Sequence, residues 1–142
     1  MKAHRYLDNI AISDLAFEAS GETPDELFEA AAVALMESMA DLSGVRPRVR
    51  KTVKLNAAAI DLLLYDWLSE LIYLKDADGF LFSRFEVSLS GNPIGRLEAK
   101  IWGERIDPAR HSLRVDVKAV TYHQFEVAQH DGRWTARVVL DI

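Results

Sequence analysis

The chain has 142 residues, a formal net charge of −5, 49% apolar and 27% charged residues, and no cysteine. That is the composition of one globular domain, residues 1–142, with a core of ordinary size. It excludes a disulfide framework, a thiol nucleophile and a thiolate metal site. The acidic balance speaks against nucleic acid as a primary ligand, because neutralising phosphates needs clustered Lys and Arg. Nothing behind Met1–Lys2–Ala3–His4–Arg5–Tyr6 reads as a signal peptide, and no apolar run is long enough to span a bilayer. The expectation is a soluble, cytoplasmic protein with no membrane partner and no direct nucleic-acid ligand.

From Asp14 to Ser20, Leu15, Phe17 and Ala19 alternate with Asp14, Ala16, Glu18 and Ser20, the period of a half-buried strand. Gly21–Glu22–Thr23–Pro24–Asp25–Glu26 then signals a helix start, with Thr23 as N-cap, Pro24 at the first helical position and Glu26 completing a capping box. Leu27, Phe28, Ala31, Ala32, Leu35 and Met39 form its buried stripe up to a stop at Ser43–Gly44. Period two returns from Arg46 to Leu55, with Arg46, Arg48, Arg50, Thr52 and Lys54 on one face.

Asn56 is expected to cap a second helix. Its stripe of Ile60, Leu63, Leu64, Trp67, Leu68, Leu71 and Ile72 is the strongest helical periodicity in the chain, and Gly79 can supply the left-handed residue that ends it. Strands are expected at Phe82–Leu89, Arg96–Trp102 and Val115–Tyr122. A final hairpin pairs Phe125–Gln129 with Arg133–Asp141 around Asp131–Gly132. The pattern implies an α+β fold: two amphipathic helices packed on a mainly antiparallel sheet, with some mixed pairing left open.

Classical catalytic signatures are missing. The chain has no phosphate-binding loop, no dinucleotide fingerprint, no nucleophile elbow and no HExxH. His4, His111, His123 and His130 are scattered, and none pairs with another at metal-ligand spacing. His111 and His130 read as structural or solvated residues, while His123 could lie in a cleft. Asp14 and Asp141 each fall on the polar parity of their strands, where a carboxylate is ordinarily just solvated. The last strand keeps its pattern through Trp134, Ala136, Val138 and Leu140, interrupted only by Val139. If Ile142 is the natural terminus, the Asp141 side chain and the α-carboxylate stand side by side on a pinned element, two hard oxygen donors. Asp116 and Lys118 share one face of a strand, for which a cross-strand ion pair is the plain explanation. The Arg46/Arg48/Arg50/Lys54 row has two readings: protection of an edge strand, or a docking stripe for an acidic or RNA-bound partner. Trp102, on the parity of Glu98 and Lys100, marks a candidate contact surface.

Taken together, these residues resemble the archease family, small proteins that assist the RtcB-type RNA-splicing ligase. The resemblance rests on Arg5–Tyr6–Leu7, on Asp14, Phe17, Ala19, Gly21, Thr23 and Glu26–Leu27–Phe28, and on Leu62–Leu63–Leu64 with Trp67–Leu68 and Glu70–Leu71–Ile72–Tyr73–Leu74. It continues through Val117–Lys118–Ala119–Val120–Thr121–Tyr122–His123 and Trp134 to Ile142, so it covers almost the whole chain. It implies a compact α+β fold and a non-enzymatic activator that promotes guanylylation and turnover of the ligase in tRNA splicing and RNA repair. It also implies a divalent cation, calcium or alternatively magnesium, on positions that match Asp14, Asp141 and Ile142. Asp116, Lys118 and His123 are carried over as functional-surface residues. The family's His-Thr-Ala before the first acid is replaced by Ala11–Ile12–Ser13, and a competing alignment would set Asp8–Asn9 at that motif; Phe17, Ala19 and Gly21 keep the register on Asp14.

Two other functions compete with this one. One is a general chaperone or adaptor for tRNA-modifying enzymes such as a methyltransferase, working through the basic strand and exposed aromatics. The other is a small metal-dependent hydrolase using Asp14, Asp116, Asp141 and His123, against which stands the lack of any base–nucleophile spacing.

Overall fold

The computed structural model describes residues 2–7 and 14–142. In chain order they form β1 (Ala3–Leu7), β2 (Asp14–Gly21), α1 (Pro24–Met39), a 3-10 turn (Leu42–Gly44), β3 (Val49–Asn56), α2 (Ile60–Asp78), β4 (Phe80–Ser90), β5 (Arg96–Arg105), β6 (Ala119–His130) and β7 (Arg133–Asp141). The strands make two sheets, ordered β1-β2-β7-β6 and β3-β5-β4. Every ladder is antiparallel. The α+β expectation holds, with the strands divided between two sheets and no mixed pairing among the described residues. No helix among them is long and apolar enough to cross a membrane.

The two helices join the sheets. α1 packs on β2 and also against β4 of the other sheet, and α2 packs on β6 and on β3, β4 and β5. Thr23 caps α1 by accepting from the Glu26 N–H at 3.2 Å, while Glu26 reaches back to the Glu22 N–H, one residue beyond the usual box. Small residues let α1 sit deep: Ala30, Ala31, Ala32 and Ala34 are buried beside the expected Leu27, Phe28, Leu35 and Met39. The expected stripe of α2 is buried from Leu63 to Ile72, and its Trp67 indole N–H donates to the Phe28 carbonyl at 3.1 Å. Gly79 ends α2 in the left-handed conformation, as its position suggested.

β4 is an outer strand, so half its N–H groups lack a ladder partner. α1 supplies the acceptors: Glu29 takes the Val87 N–H at 2.9 Å and Asp25 takes the Leu89 N–H at 3.0 Å. The first two turns of α1 therefore do more than complement the helix dipole. They close a sheet edge.

Several expectations shift. α1 stops at Met39, ahead of Ser43–Gly44, because Ala40 is extended and bridges Leu113. Asn56 ends β3, and α2 starts after Ala59 with no side-chain cap. β1, which the sequence pattern did not reveal, pairs with β2, and its Tyr6 hydroxyl donates to the Ala34 carbonyl at 2.8 Å. Burial pushes that phenol up to about 12. The strand expected from Val115 begins only at Ala119.

The stretch from Ile106 to Lys118 instead runs across the ends of both helices. Asp41 N–H donates to the Ser112 carbonyl, Arg114 N–H to that of Met39, and Lys118 N–H to that of Asp141. One end of this segment is pinned by Glu104, which accepts from Arg110, from the Arg46 N–H at 2.7 Å and from His111 Nε2–H at 3.0 Å. The Asp107 N–H points at His111 Nδ1 at 2.9 Å, which requires the neutral Nε2–H form of the ring. These donors, Arg110 first, hold the Glu104 carboxyl well below the usual carboxylate range.

Two measurements check this account. A Cβ at Gly103 would lie 1.8 Å from the Leu81 carbonyl oxygen, so Gly103→Ala should lower unfolding free energy by about 3 kcal/mol or more. Gly44→Ala, with nothing within 4 Å, should change it by at most about 0.5 kcal/mol in the same urea titration. Because Glu104 is depressed from its ordinary value of 4.5, its contribution is complete above that pH and drains away as pH falls through the folded-state value. Glu104→Gln should therefore lower stability at pH 7 and flatten the loss of stability below pH 4.5; an unchanged acid limb would refute the assignment.

Candidate carboxylate tip

The β2–β7 ladder brings the two ends of the chain together. Its register sets Asp14 directly opposite Asp141, followed by Leu15 opposite Leu140 and Ala16 opposite Val139. On the far side of β7, Asp141 stands opposite Ala119 of β6, and the Lys118 N–H donates to the Asp141 carbonyl at 2.8 Å. Directly opposed residues of an antiparallel pair carry their side chains on the same face, with Cβ atoms about 4.5–5.5 Å apart. Two carboxylates thus share one face at one end of the four-stranded sheet.

The rest of β2 and β7 fixes them there. Phe17, Ala19, Ala136, Val138 and Leu140 point to the helices and are buried, so a slip of one residue would turn the whole apolar set outward. Val139, the exception to the alternation, is also fully buried, on the opposite face with Ala16. Ile142 packs half-buried against the core beyond the strand. Among the described residues, neither Asp14 nor Asp141 has an ion-pair or side-chain hydrogen-bond partner. Like charges set directly opposite one another destabilise a ladder. The register therefore leaves two carboxylates side by side with no counter-charge among the described residues.

The other expected residues fall around this tip in different ways. Asp116 is not cross-strand from Lys118; its carboxylate binds Lys75. The Lys118 side chain is exposed beside Tyr65, Ser69 and Ile72 of α2. His123 lies in a wide bulge of β6, where the register jumps from Thr121 opposite Val139 to Glu126 opposite Arg137. Its exposed ring is beyond Thr121 along the strand, away from the Asp14–Asp141 pair, and its N–H donates to the Thr121 hydroxyl at 3.2 Å. Tyr122 in the same bulge stacks on Tyr65 with ring centroids 4.1 Å apart. The four-residue grouping of Asp14, Asp116, Asp141 and His123 is not assembled, and no three His, Cys, Asp or Glu side chains among the described residues converge as metal ligands. Asp8–Asn9 and Ala11–Ile12–Ser13 lie outside the described residues.

Lys75 was missed. Its position continues the helical stripe of α2, but a lysine near a helix end reads as a solvated residue, and yet only 6% of its side chain is exposed. It donates to Asp116, to Asp76 at 2.8 Å and to the Val117 carbonyl at 3.0 Å. Burial alone would push the ammonium down, but the bonds to Asp116 and Asp76 outweigh it and hold the group above its ordinary value. Lys75 thereby fixes residues 116 and 117, immediately before the Lys118 N–H that closes on Asp141.

As a donor set, Asp14 and Asp141 offer hard oxygens only, which fits calcium or magnesium and not a soft metal. A small α+β protein with a carboxylate pair at a sheet end and no catalytic motif is the class that this geometry defines. The model of the archease protein family (MTH1598/TM1083) matches residues 4–142. Protein archease of Methanopyrus kandleri is 38% identical over 131 residues, 92% of this chain and 94% of that protein. The Pyrococcus abyssi protein archease is 34% identical over the whole of both chains. The solution structure of Methanobacterium thermoautotrophicum protein 1598 superposes with a TM-score of 0.85 at 36% identity, covering 98% of each chain. The crystal structure of a Thermotoga maritima archease, described as a possible chaperone, gives 0.65 at 21% identity over 99% of this chain and all of the other, a likeness of fold. The chain belongs to the archease family.

If the opposed carboxylates repel, removing either charge should stabilise the cation-free protein. In chelator at pH 7 and low salt, Asp14→Asn and Asp141→Asn should each raise unfolding free energy by about 0.2–1 kcal/mol. The double variant should gain less than the sum of the two, since one neutralisation already relieves the pair. Losses in both single variants would mean that the carboxylates do not oppose each other in solution.

Proposed function

We propose that this protein is a non-enzymatic activator of an RtcB-type RNA ligase, promoting the ligase's guanylylation and multiple turnover in tRNA splicing and RNA repair. Asp14 and Asp141 are the ligands of a divalent cation, calcium or magnesium. Where Ile142 is the last residue, its α-carboxylate supplies a third donor. The observation that carries this reading is the direct opposition of Asp14 and Asp141 with, among the described residues, no cationic side chain paired to either. Membership of the archease family supports it. When bound, a divalent cation neutralises the pair and can carry further oxygen ligands in its open positions.

The chain's own residues do the positioning. The β2–β7 ladder holds both carboxylates on one face, Lys118 N–H fixes the Asp141 peptide, and Lys75 fixes the approach to Lys118. Exposed Lys118 flanks the tip and contributes to the surface that meets the ligase. Asp116 serves that surface through its bond to Lys75, and His123 forms its outer margin on β6.

The test is guanylylation of an RtcB-type ligase with GTP, with and without this protein. Wild type should accelerate both the first guanylylation and multiple turnover. Asp14→Ala, Asp141→Ala and removal of Ile142 should abolish the acceleration while the proteins remain folded. Absence of acceleration by wild type, or full acceleration by both alanine variants, refutes the proposal. A second reading, a chaperone or adaptor for tRNA-modifying enzymes, draws on the description of the Thermotoga maritima relative as a possible chaperone. It predicts capture of a tRNA methyltransferase without the ligase.

A further inference from the structure

The net charge of −5 conceals a segregation. The face of β3-β5-β4 turned away from the helices is built of register rows: Arg50–Trp102–Arg84, then Thr52–Lys100–Glu86, Lys54–Glu98–Ser88 and Asn56–Arg96–Ser90. Arg46 and Arg48 lead into it at one end. Two of its three acids are engaged, and Glu98 stands opposite Lys54. Glu104 is closed off by Arg110, the Arg46 N–H and His111, and Glu86 binds Arg84 at 2.9 Å.

The cations are not. Among the described residues, the side chains of Arg46, Arg50, Lys54, Arg96 and Lys100 have no ion-pair partner. Edge protection explains the charge on β3, an outer strand. It does not explain Lys100 and Arg96, which lie on the central strand β5. Nor does it explain Trp102, a half-buried aromatic on the central strand with the Arg84 guanidinium 4.4 Å over its ring.

We propose that this face docks single-stranded RNA. Each register row carries at least one cation, with Arg50, Lys100, Lys54 and Arg96 alternating between β3 and β5, so positive charge repeats about every 6.5–7 Å along the sheet, an array suited to a phosphodiester chain. Guanidinium groups match phosphate in a planar fork, and the Arg84 guanidinium stacked over the Trp102 indole forms a planar cation–aromatic platform on which a base can stack, the pairing of basic groove and aromatic used for unpaired strands. The narrow three-stranded face holds a few nucleotides and leaves the acidic remainder of the molecule to repel any wider contact. An acidic polypeptide would use the charges but not the central Trp. This surface is on the sheet that does not carry Asp14 and Asp141, and the proposal stands without the reading of that tip.

The experiment is fluorescence anisotropy of a labelled 12-nucleotide oligouridine titrated with the full chain at 50 and 200 mM salt. Binding is expected to weaken with salt at a slope of about −3 in log–log form, for about four phosphates on a single strand. Arg50→Glu combined with Lys100→Glu should weaken it at least tenfold with circular dichroism unchanged, whereas Arg137→Glu on the other sheet should leave it intact. RNA should quench the wild-type indole emission, and Trp102→Phe should remove that quenching. No binding at 50 mM salt, binding insensitive to Arg50→Glu/Lys100→Glu, or equal competition by a poly-glutamate of the same length would overturn the proposal, the last in favour of an acidic protein partner.

Discussion

The pairing of β2 with β7 is the constraint on which the rest depends. It joins the first third of the chain to its end and places β1 and β6 on either side. Its inward residues, Phe17, Ala19, Ala136, Val138 and Leu140, are the wall against which α1 packs. Because the strand period is two, burying these residues dictates which way every intervening side chain faces. The opposition of Asp14 and Asp141 is a by-product of that burial. It persists against its own electrostatics because apolar side chains worth roughly 1.5–3 kcal/mol each outweigh a like-charge pair worth a few tenths. A site that is mildly unfavourable alone can be kept where the core sets the register.

α1 makes the second connection. One helix fills the space between the two sheets only if its flanks are small, which four alanines provide, and only if the exposed edge of β4 is answered. Asp25 and Glu29 answer it from the side of the helix, so two carboxylates that look like ordinary solvated residues in the sequence act as strand partners. Burial raises the Asp25 carboxyl somewhat, the bond from Leu89 N–H notwithstanding. The two sheets are thus coupled by covalent connection, by apolar packing and by these backbone bonds. A shift of one sheet would be felt at the other.

Much of this was legible in the residues. The alternation in β2 and β7, the Thr23–Pro24 start, the α2 stripe, Gly79 and the Asp131–Gly132 turn are local signals, and local chemistry decided them. Alternation also set Asp14 and Asp141 on their strands' polar faces, but only ladder register could make them neighbours, and register is a property of two segments. β1 was illegible because its short pattern, His4 and Tyr6 against Ala3, Arg5 and Leu7, mixes polar and apolar residues on both faces. Lys75 was illegible for a different reason. Its burial is produced by Asp116 and the Val117 carbonyl, which arrive from a segment whose alternation imitates a strand until the helix ends claim its hydrogen bonds.

Among the described residues, two faces carry charge that no side-chain ion pair answers, and they have opposite sign. On the four-stranded sheet the carboxylates oppose each other; on the three-stranded sheet Arg50, Lys54, Arg96 and Lys100 form no ion pair among the described residues, although Glu98 stands opposite Lys54 and Glu86 opposite Lys100. Mixed surface charge is normally arranged in pairs, as Arg5 with Glu18 and Lys2 with Glu29 show elsewhere in this chain. Leaving like charges together forgoes a small stabilisation, and in a protein whose fold rests on apolar register that loss is affordable wherever a ligand later restores it. The two patches also differ in tolerance. The tip depends on a single register pair and on residues 116–118 being held by Lys75, so it should be lost all at once. The basic face is spread over three strands, so its loss should be graded, one cation at a time.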